Sequence, residues 1–286
     1  MTADVREPVE SESGWGVLHL FYRVDRARAE QEPGGARRAL DAIAALTAPR
    51  PARPSSGQAS SGEEDPHQVL TFVALGHKAD LGVMAVGPDL ARLQTFQREF
   101  ERAPLVPTWS YVSMTETSEY ATTEDDERAR LAAEDGITDP AEVEALLVVW
   151  RERIAHYRAQ RVRPTLPRRR TICFYPMSKR RGGPGEGGDN WYALPFEERK
   201  RLMAGHARVG RGYAGRVTQL ITGSTGLDDW EWGVTLFADD PGDLKEIVYE
   251  MRFDEVSARY AEFGPFVTGL VLEPAEALRR VGLPEA

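Results

Sequence analysis

A phenol, an ammonium and an imidazole fall close together in the second half of this chain. Tyr175 and Lys179 lie within Tyr175-Pro176-Met177-Ser178-Lys179, and His206 follows on a helical segment. Between them come a glycine-rich run, Gly182 to Gly188, and then Asn190-Trp191-Tyr192. A phenol at a strand end can bond a carboxylate or be oxidised by a nearby activated metal. An imidazole rising from an apolar helix face can ligate the iron of a porphyrin, and a basic rim suits the carboxylates such a ring carries. Each residue also has a plainer reading. His206 beside Leu202, Met203 and Val209 reads as a core histidine with a satisfied hydrogen bond, Tyr175 as an ordinary sheet tyrosine, and the basic residues as solvated surface.

Other chemistries are disfavoured. The remaining histidines, His19, His67, His77 and His156, have no tight metal spacing, so a multi-histidine zinc site is not expected. The glycine run lacks the Gly-Lys-Ser/Thr ending of a phosphate loop and contains Pro184 and Glu186, so no nucleotide is expected. A single cysteine, Cys173, excludes an intramolecular disulfide and a multi-cysteine metal centre. A formal charge of −9 argues against nucleic acid as a partner. With 41% apolar and 28% charged residues, the 286-residue chain reads as a soluble globular protein of one large domain or two small ones. Met1 to Glu12 is acidic with no apolar core, and no later stretch is long enough to span a bilayer. A cytoplasmic location without membrane contact is expected.

The elements that must position these groups form a repeated plan. Gly14 to Tyr22 reads as a strand apolar on both faces. Ala27 to Leu46 is helical, interrupted at Pro33-Gly34-Gly35. Val69 to Leu75 and Asp80 to Val86 are strands, Pro88 to Glu101 a helix and Pro107 to Glu116 a strand. This order is β-α-β-β-α-β. Pro49 to Gln68 reads as a surface loop, Ala121 to Tyr157 as a charged, partly helical connector, and Arg161 to Arg170 as an extended basic segment. The plan then recurs: strand Thr171 to Met177, helix Pro195 to Val209, strands Val217 to Gly223 and Trp230 to Ala238, helix Pro241 to Arg252 and strand Phe263 to Leu272. Gly76 to Phe100 parallels Gly226 to Met251. We therefore expect an α+β fold of two ferredoxin-like βαββαβ halves forming a pseudo-twofold dimeric α+β barrel. The expected divisions are residues 13–120, a connector at 121–170, and a second half at 171–275.

Four segments together resemble the coproheme decarboxylases of the chlorite dismutase superfamily. They are Cys173-Phe174-Tyr175-Pro176-Met177-Ser178-Lys179-Arg180-Arg181, Asp189-Asn190-Trp191-Tyr192, Gly210-Arg211-Gly212-Tyr213-Ala214-Gly215 and Glu250-Met251-Arg252-Phe253-Asp254-Glu255. The likeness is dense from Ile172 to Leu272 and looser back to Gly14-Trp15. It implies a homopentamer holding one porphyrin per chain. The implied reaction converts iron-coproporphyrin III (coproheme), both substrate and redox cofactor, to haem b with hydrogen peroxide. By the same resemblance His206 would ligate the iron, and Tyr175 would become the radical that takes hydrogen from a propionate. Lys179 would assist at the second propionate, and Met177 would line the ring edge. Arg161, Arg252 and Ser257 would anchor propionates, with Arg163 an alternative to Arg161. Gln219, thirteen residues after His206, would stand above the iron where chlorite dismutases carry an arginine. An uncharged amide there disfavours chlorite chemistry. The implied partners are coproheme, peroxide, other copies of the chain, and transiently a ferrochelatase or haem acceptor. The alternative is a non-catalytic haem carrier or sensor of the same fold, which has no need of Tyr175; weak general peroxidase activity would not discriminate.

Overall fold

The computed structural model describes residues 12–49, 66–182 and 190–283. Most of the expected 49–68 loop, the acidic start of the chain and nearly all of the glycine run Gly182 to Gly188 lie outside the described residues. The first half runs β1 (Ser13–Val24), α1 (Arg26–Gln31), α2 (Gly35–Thr47), β2 (Gln68–Ala74), β3 (Leu81–Gly87), α3 (Leu90–Phe100) and β4 (Leu105–Glu116). Helices α4 (Glu124–Arg130) and α5 (Pro140–Val162) follow. The second half runs β5 (Thr171–Lys179), α6 (Phe196–Gly212), β6 (Val217–Gly223), β7 (Trp232–Ala238), α7 (Pro241–Met251), α8 (Glu255–Tyr260), β8 (Ala261–Phe263) and β9 (Val267–Leu272), then α9 (Pro274–Arg280).

The halves are ferredoxin-like, and their sheets join edge to edge. The strand order is β7-β6-β4-β1-β3-β2-β9-β5-β8, and β5 also pairs with β7, which closes the sheet into a barrel. All described pairings between these strands are antiparallel, and the halves meet at β2–β9 and β4–β6. Closure removes the unpaired edges that an open sheet would present.

Strand alternation then divides the side chains between two environments. Trp15, Val17, Phe21, Ile172, Phe174, Leu220 and Phe237 fill the barrel, whereas Leu18, Leu20, Tyr22, Cys173, Tyr175 and Val234 face the helices outside. Inside the barrel His19 is fully buried and stacks on Phe174 at 3.9 Å. Its Nε2 bonds Thr235 Oγ1 at 2.9 Å, and its Nδ1 has no described partner.

Several boundaries differ from expectation. The basic segment is not extended from its start: α5 continues to Val162, because Asp139 caps its N-terminus and Pro140 opens its first turn, so Arg161 is helical. The strand expected to end at Met177 continues to Lys179, because β8 supplies partners for Met177, Ser178 and Lys179. The expected strand from Phe263 to Leu272 is divided into β8 and β9, which pair with successive stretches of β5. Helix α9 was not anticipated; its Ala277 and Leu278 join Ala36, Ala39 and Leu46 in the core of the first half.

The two halves fill their helix layers differently. Helix α2 buries Gly35, Ala36, Ala39, Ala42 and Leu46. Its counterpart α6 buries only Arg199 and Leu202 and packs chiefly on α7 and α8. Met203, His206 and Val209, all on one side of α6, stay half-buried. This side of α6 is thus less covered by the chain than the buried face of α2.

Burial lowers the pKa of His19 to about 3. The unfolded chain therefore binds the extra proton between pH 6.5 and 3 while the folded chain does not, and stability must fall as pH drops through that window. At pH 4 the loss from this group is about 3 kcal/mol relative to pH 7. Denaturant titrations at the two pH values should show it, and His19→Leu should reduce the difference by that amount; an unchanged difference would remove His19 as its source.

Candidate functional site

His206 projects from the middle of α6, on its half-buried side with Met203 and Val209. Its Nδ1 lies 3.1 Å from Asp254 Oδ2. Asp254 is the N-cap of α8, where it accepts from Ser257 N at 3.1 Å and from Ser257 Oγ at 2.9 Å. Burial by itself would raise the Asp254 pKa. The hydrogen bonds from His206 and Ser257, with the charge of His206, outweigh burial and hold it below the usual carboxylate range. An ionised carboxylate only accepts, so Nδ1 carries a proton toward Asp254, and Nε2 is the ring nitrogen that Asp254 does not engage. A carboxylate behind the imidazole in this way fixes the tautomer and ring orientation that a ligating histidine needs.

The sheet supplies the opposite wall. Alternation on β5 puts Cys173, Tyr175, Met177 and Lys179 on one face, and the first three border the outer core formed with α7 and with Tyr213, the residue that ends α6. Tyr175 is 5% exposed and lies in the middle of its strand, not at an exposed end. Its ring stacks on Phe266 at 4.3 Å and meets Phe263 edge-on at 5.7 Å. Burial, with a smaller contribution from Cys173, pushes its pKa up, so the phenol keeps its proton at neutral pH. The segment between β8 and β9 is what delivers Phe266 to this ring.

Lys179 is 8% exposed, which separates it from the solvated basic surface expected at this strand end. Its Nζ stands 4.8 Å above the Trp191 ring. Desolvation lowers its pKa to about 8 against the opposing charges of Asp254 and Glu231. Glu231 Oε2 also accepts from the Lys179 backbone at 2.8 Å and its carboxylate pairs with Arg181. His206, Asp254, Ser257, Lys179, Glu231 and Arg181 are therefore one electrostatic chain.

Gln219 shares its β6 face with Val217 and Ile221, which join the same outer core. Helix α6 approaches the sheet closely here: a Cβ on Gly210 would stand 3.1 Å from Gln219 Nε2 and 3.3 Å from Met251 Cε, so those side-chain ends would have to give slightly. Arg252 closes α7 with an exposed side chain and makes no ion pair with another described residue. Arg161 sits apart on α5. Its Nε is buried with no described hydrogen-bond partner, and its charge acts on Glu116. The structure thus gathers His206, Ser257 and Lys179 through Asp254, puts Tyr175, Met177 and Gln219 on the facing sheet, and leaves Arg161 and Arg252 on separate helices.

Asp254, Glu231 and Phe266 escaped sequence reasoning. Asp254 did carry a signal, since Asp254-Glu255-Val256-Ser257 is an N-cap sequence. The other two reach the site through strand register, which local pattern does not encode.

Asp254→Asn should cost about 1–2 kcal/mol at pH 7 by weakening the cap and the bond to His206. It should also release the His206 tautomer. Chemical denaturation and the ¹⁵N shifts of His206 measure the two effects; an unchanged tautomer would mean that Asp254 does not orient the ring.

The fold has known relatives. The family profile described as chlorite dismutase matches residues 45–272. A protein of Natronomonas pharaonis, named as a candidate heme-binding protein, is 41% identical over 276 residues, 95% of this chain; the chain spans 41% of that relative's length. The solved structure of a heme-binding protein from Thermus thermophilus is 36% identical, with a TM-score of 0.73 over 98% of this chain and 99% of that one. A chlorite dismutase variant from Candidatus Nitrospira defluvii, 17% identical, shares the fold with a TM-score of 0.63 over 94% of this chain and 96% of that one. Among the described residues no helix is long and apolar enough to cross a membrane. On the extent of the profile match and the identity to these relatives, the chain belongs to the chlorite dismutase family.

Proposed function

We propose that this chain binds coproheme in the layer between α6 and the sheet and decarboxylates two of its propionates with hydrogen peroxide, giving haem b. The observation that carries the reading is the half-buried His206 oriented by Asp254, on the helix that approaches the sheet face bearing Tyr175, Met177 and Gln219. The donor set fits an iron porphyrin. His206 Nδ1 is committed to Asp254, which leaves Nε2 for iron. The Arg161 Nε lacks a described partner, and Tyr175 makes no hydrogen bond to another described residue.

When bound, the iron porphyrin would supply the oxidising power drawn from peroxide. His206 would hold the iron, and Asp254, bonded to its Nδ1, would keep the imidazole oriented. Tyr175 gives up an electron and its proton, then regains hydrogen from the propionate methylene, and the apolar stack of Phe263 and Phe266 keeps water from its ring. In balance, a propionate carboxylate, one proton and one hydrogen peroxide give a vinyl group, carbon dioxide and two waters. Lys179, which holds its proton less tightly than a free lysine, supplies a proton near the second propionate. Arg161, Arg252 and Ser257 would anchor carboxylates, Met177 would line the porphyrin, and Gln219 would offer it a neutral amide. Assembly as a homopentamer in the cytoplasm and transfer of haem b from this chain to an acceptor belong to the same reading.

A second reading, a haem carrier or sensor that does no chemistry, is favoured by the heme-binding names of the Thermus and Natronomonas relatives. The two separate cleanly. Protein loaded anaerobically with coproheme and given stepwise peroxide should show successive loss of two carboxyl groups by mass analysis, ending at haem b. Tyr175→Phe should bind coproheme but stop the mass loss. Binding followed only by bleaching in the unaltered protein would establish the carrier reading.

A further inference from the structure

The chain between β8 and β9 carries one residue more than the stretch of β5 it crosses. Phe263 is registered opposite Met177 and Val267 opposite Phe174, so Gly264, Pro265 and Phe266 face only Tyr175 and Pro176. The extra residue makes a bulge, which brings both Phe263 and Phe266 to the Tyr175 ring, one edge-on and one stacked. Proline accounts for the break in the ladder, since neither Pro176 nor Pro265 has an N–H to donate.

Backbone groups released from a ladder need partners elsewhere. At the start of the bulge Gly264 N donates to Pro176 O at 2.8 Å. No side chain fits at 264, where a Cβ would stand 2.6 Å from Pro176 Cγ and 2.9 Å from Trp230 Cζ2. At its end Phe266 O accepts from Lys78 Nζ. Lys78 belongs to the turn between β2 and β3, in the other half of the chain. That turn is itself held: Leu75 N donates to Thr268 O at 2.8 Å, Asp80 N to Tyr22 O at 2.8 Å, and the Arg23 guanidinium to His77 O. On its barrel side the bulge borders a cavity of about 210 Å³, lined also by Phe21, Lys78 and Trp109. Packing from that side therefore leaves room for the bulge to shift, and the polar ties fix it.

We infer that Lys78 is a positioning residue for Tyr175: its bond to the Phe266 carbonyl seats the bulge, and the seated Phe266 ring holds the phenol in one orientation and away from water. This rests on the proposed role of Tyr175 as the group that takes hydrogen from a propionate. It gives the first half of the chain a part in chemistry that the second half performs. Reaction at a phenol depends steeply on its distance and angle to the bond it attacks, so a small displacement of the ring acts on rate more than on binding. Lys78 is exposed, so replacing it empties no core.

Lys78→Met keeps the apolar stem and removes the donor, whereas Lys78→Arg keeps a donor. In protein with ring-¹³C tyrosine, the Tyr175 signal is identified by its loss in Tyr175→Phe and should carry the ring-current shift of the stacked Phe266. Lys78→Met should move that signal toward the position of an unstacked tyrosine, and Lys78→Arg should restore it. Given coproheme and peroxide, Lys78→Met should lose carboxyl groups about tenfold more slowly, with coproheme affinity by absorbance titration unchanged, and Lys78→Arg should recover the rate. Gly264→Ala, which displaces the other end of the bulge, should move the signal and slow the mass loss in the same direction. A Tyr175 signal that stays in place in Lys78→Met overturns the inference, and so does a moved signal with an unchanged rate. Absence of mass loss from the unaltered protein overturns the decarboxylase reading; the ring signal, which needs no coproheme, then upholds or overturns the seating of Tyr175 by itself.

Discussion

Closure of the sheet through the β5–β7 pairing is the constraint on which the rest depends. Once the ring is closed, each strand has an inside and an outside, and the two-residue period of a strand decides which side chain goes where. On β5 this sends Ile172 and Phe174 into the barrel, and sends Cys173 and Tyr175 to the helix side. A register shift of one residue would bury the Tyr175 phenol among Phe21, Phe72 and Phe237. The packed interior, with Phe174 stacked on His19, holds the register that presents the chemical groups on the other face.

Charge organises the helix side. Asp254 caps α8, binds Ser257 and fixes His206, and its charge also bears on Lys179. One carboxylate thus joins local helix energetics to the orientation of an imidazole and to the proton affinity of a buried amine. Glu231 repeats the pattern at the far end, where it ties the Lys179 backbone to Arg181. The chemistry each of these groups can do depends on the charge of its neighbours.

The barrel was legible because its signals are local: apolar alternation, turns and two like halves with the same element order. The face shared by Cys173 and Tyr175 followed from alternation alone, and the apolar side of the helix bearing His206 was visible in Leu202, Met203 and Val209. What was hidden depends on tertiary partners. Lys179 reads as surface because three cations run together in Lys179-Arg180-Arg181, and only β8 and Trp191 cover it. Arg161 reads as extended because of the prolines at 164 and 167, whose influence stops short of Val162. Helix α9 has a short pattern that gains meaning only against the core of the opposite half.

The unequal filling of the two helix layers has a thermodynamic consequence. Backbone amides are protected from exchange in proportion to the cost of opening the element that holds them. Helix α2, sealed to its sheet by a row of alanines, shares the stability of the first core. Helix α6 has fewer buried contacts to lose and opens at lower cost. A flat apolar ligand in that layer would serve as the missing core of the second half, so occupancy and local order there become a single linked quantity that rises with ligand concentration.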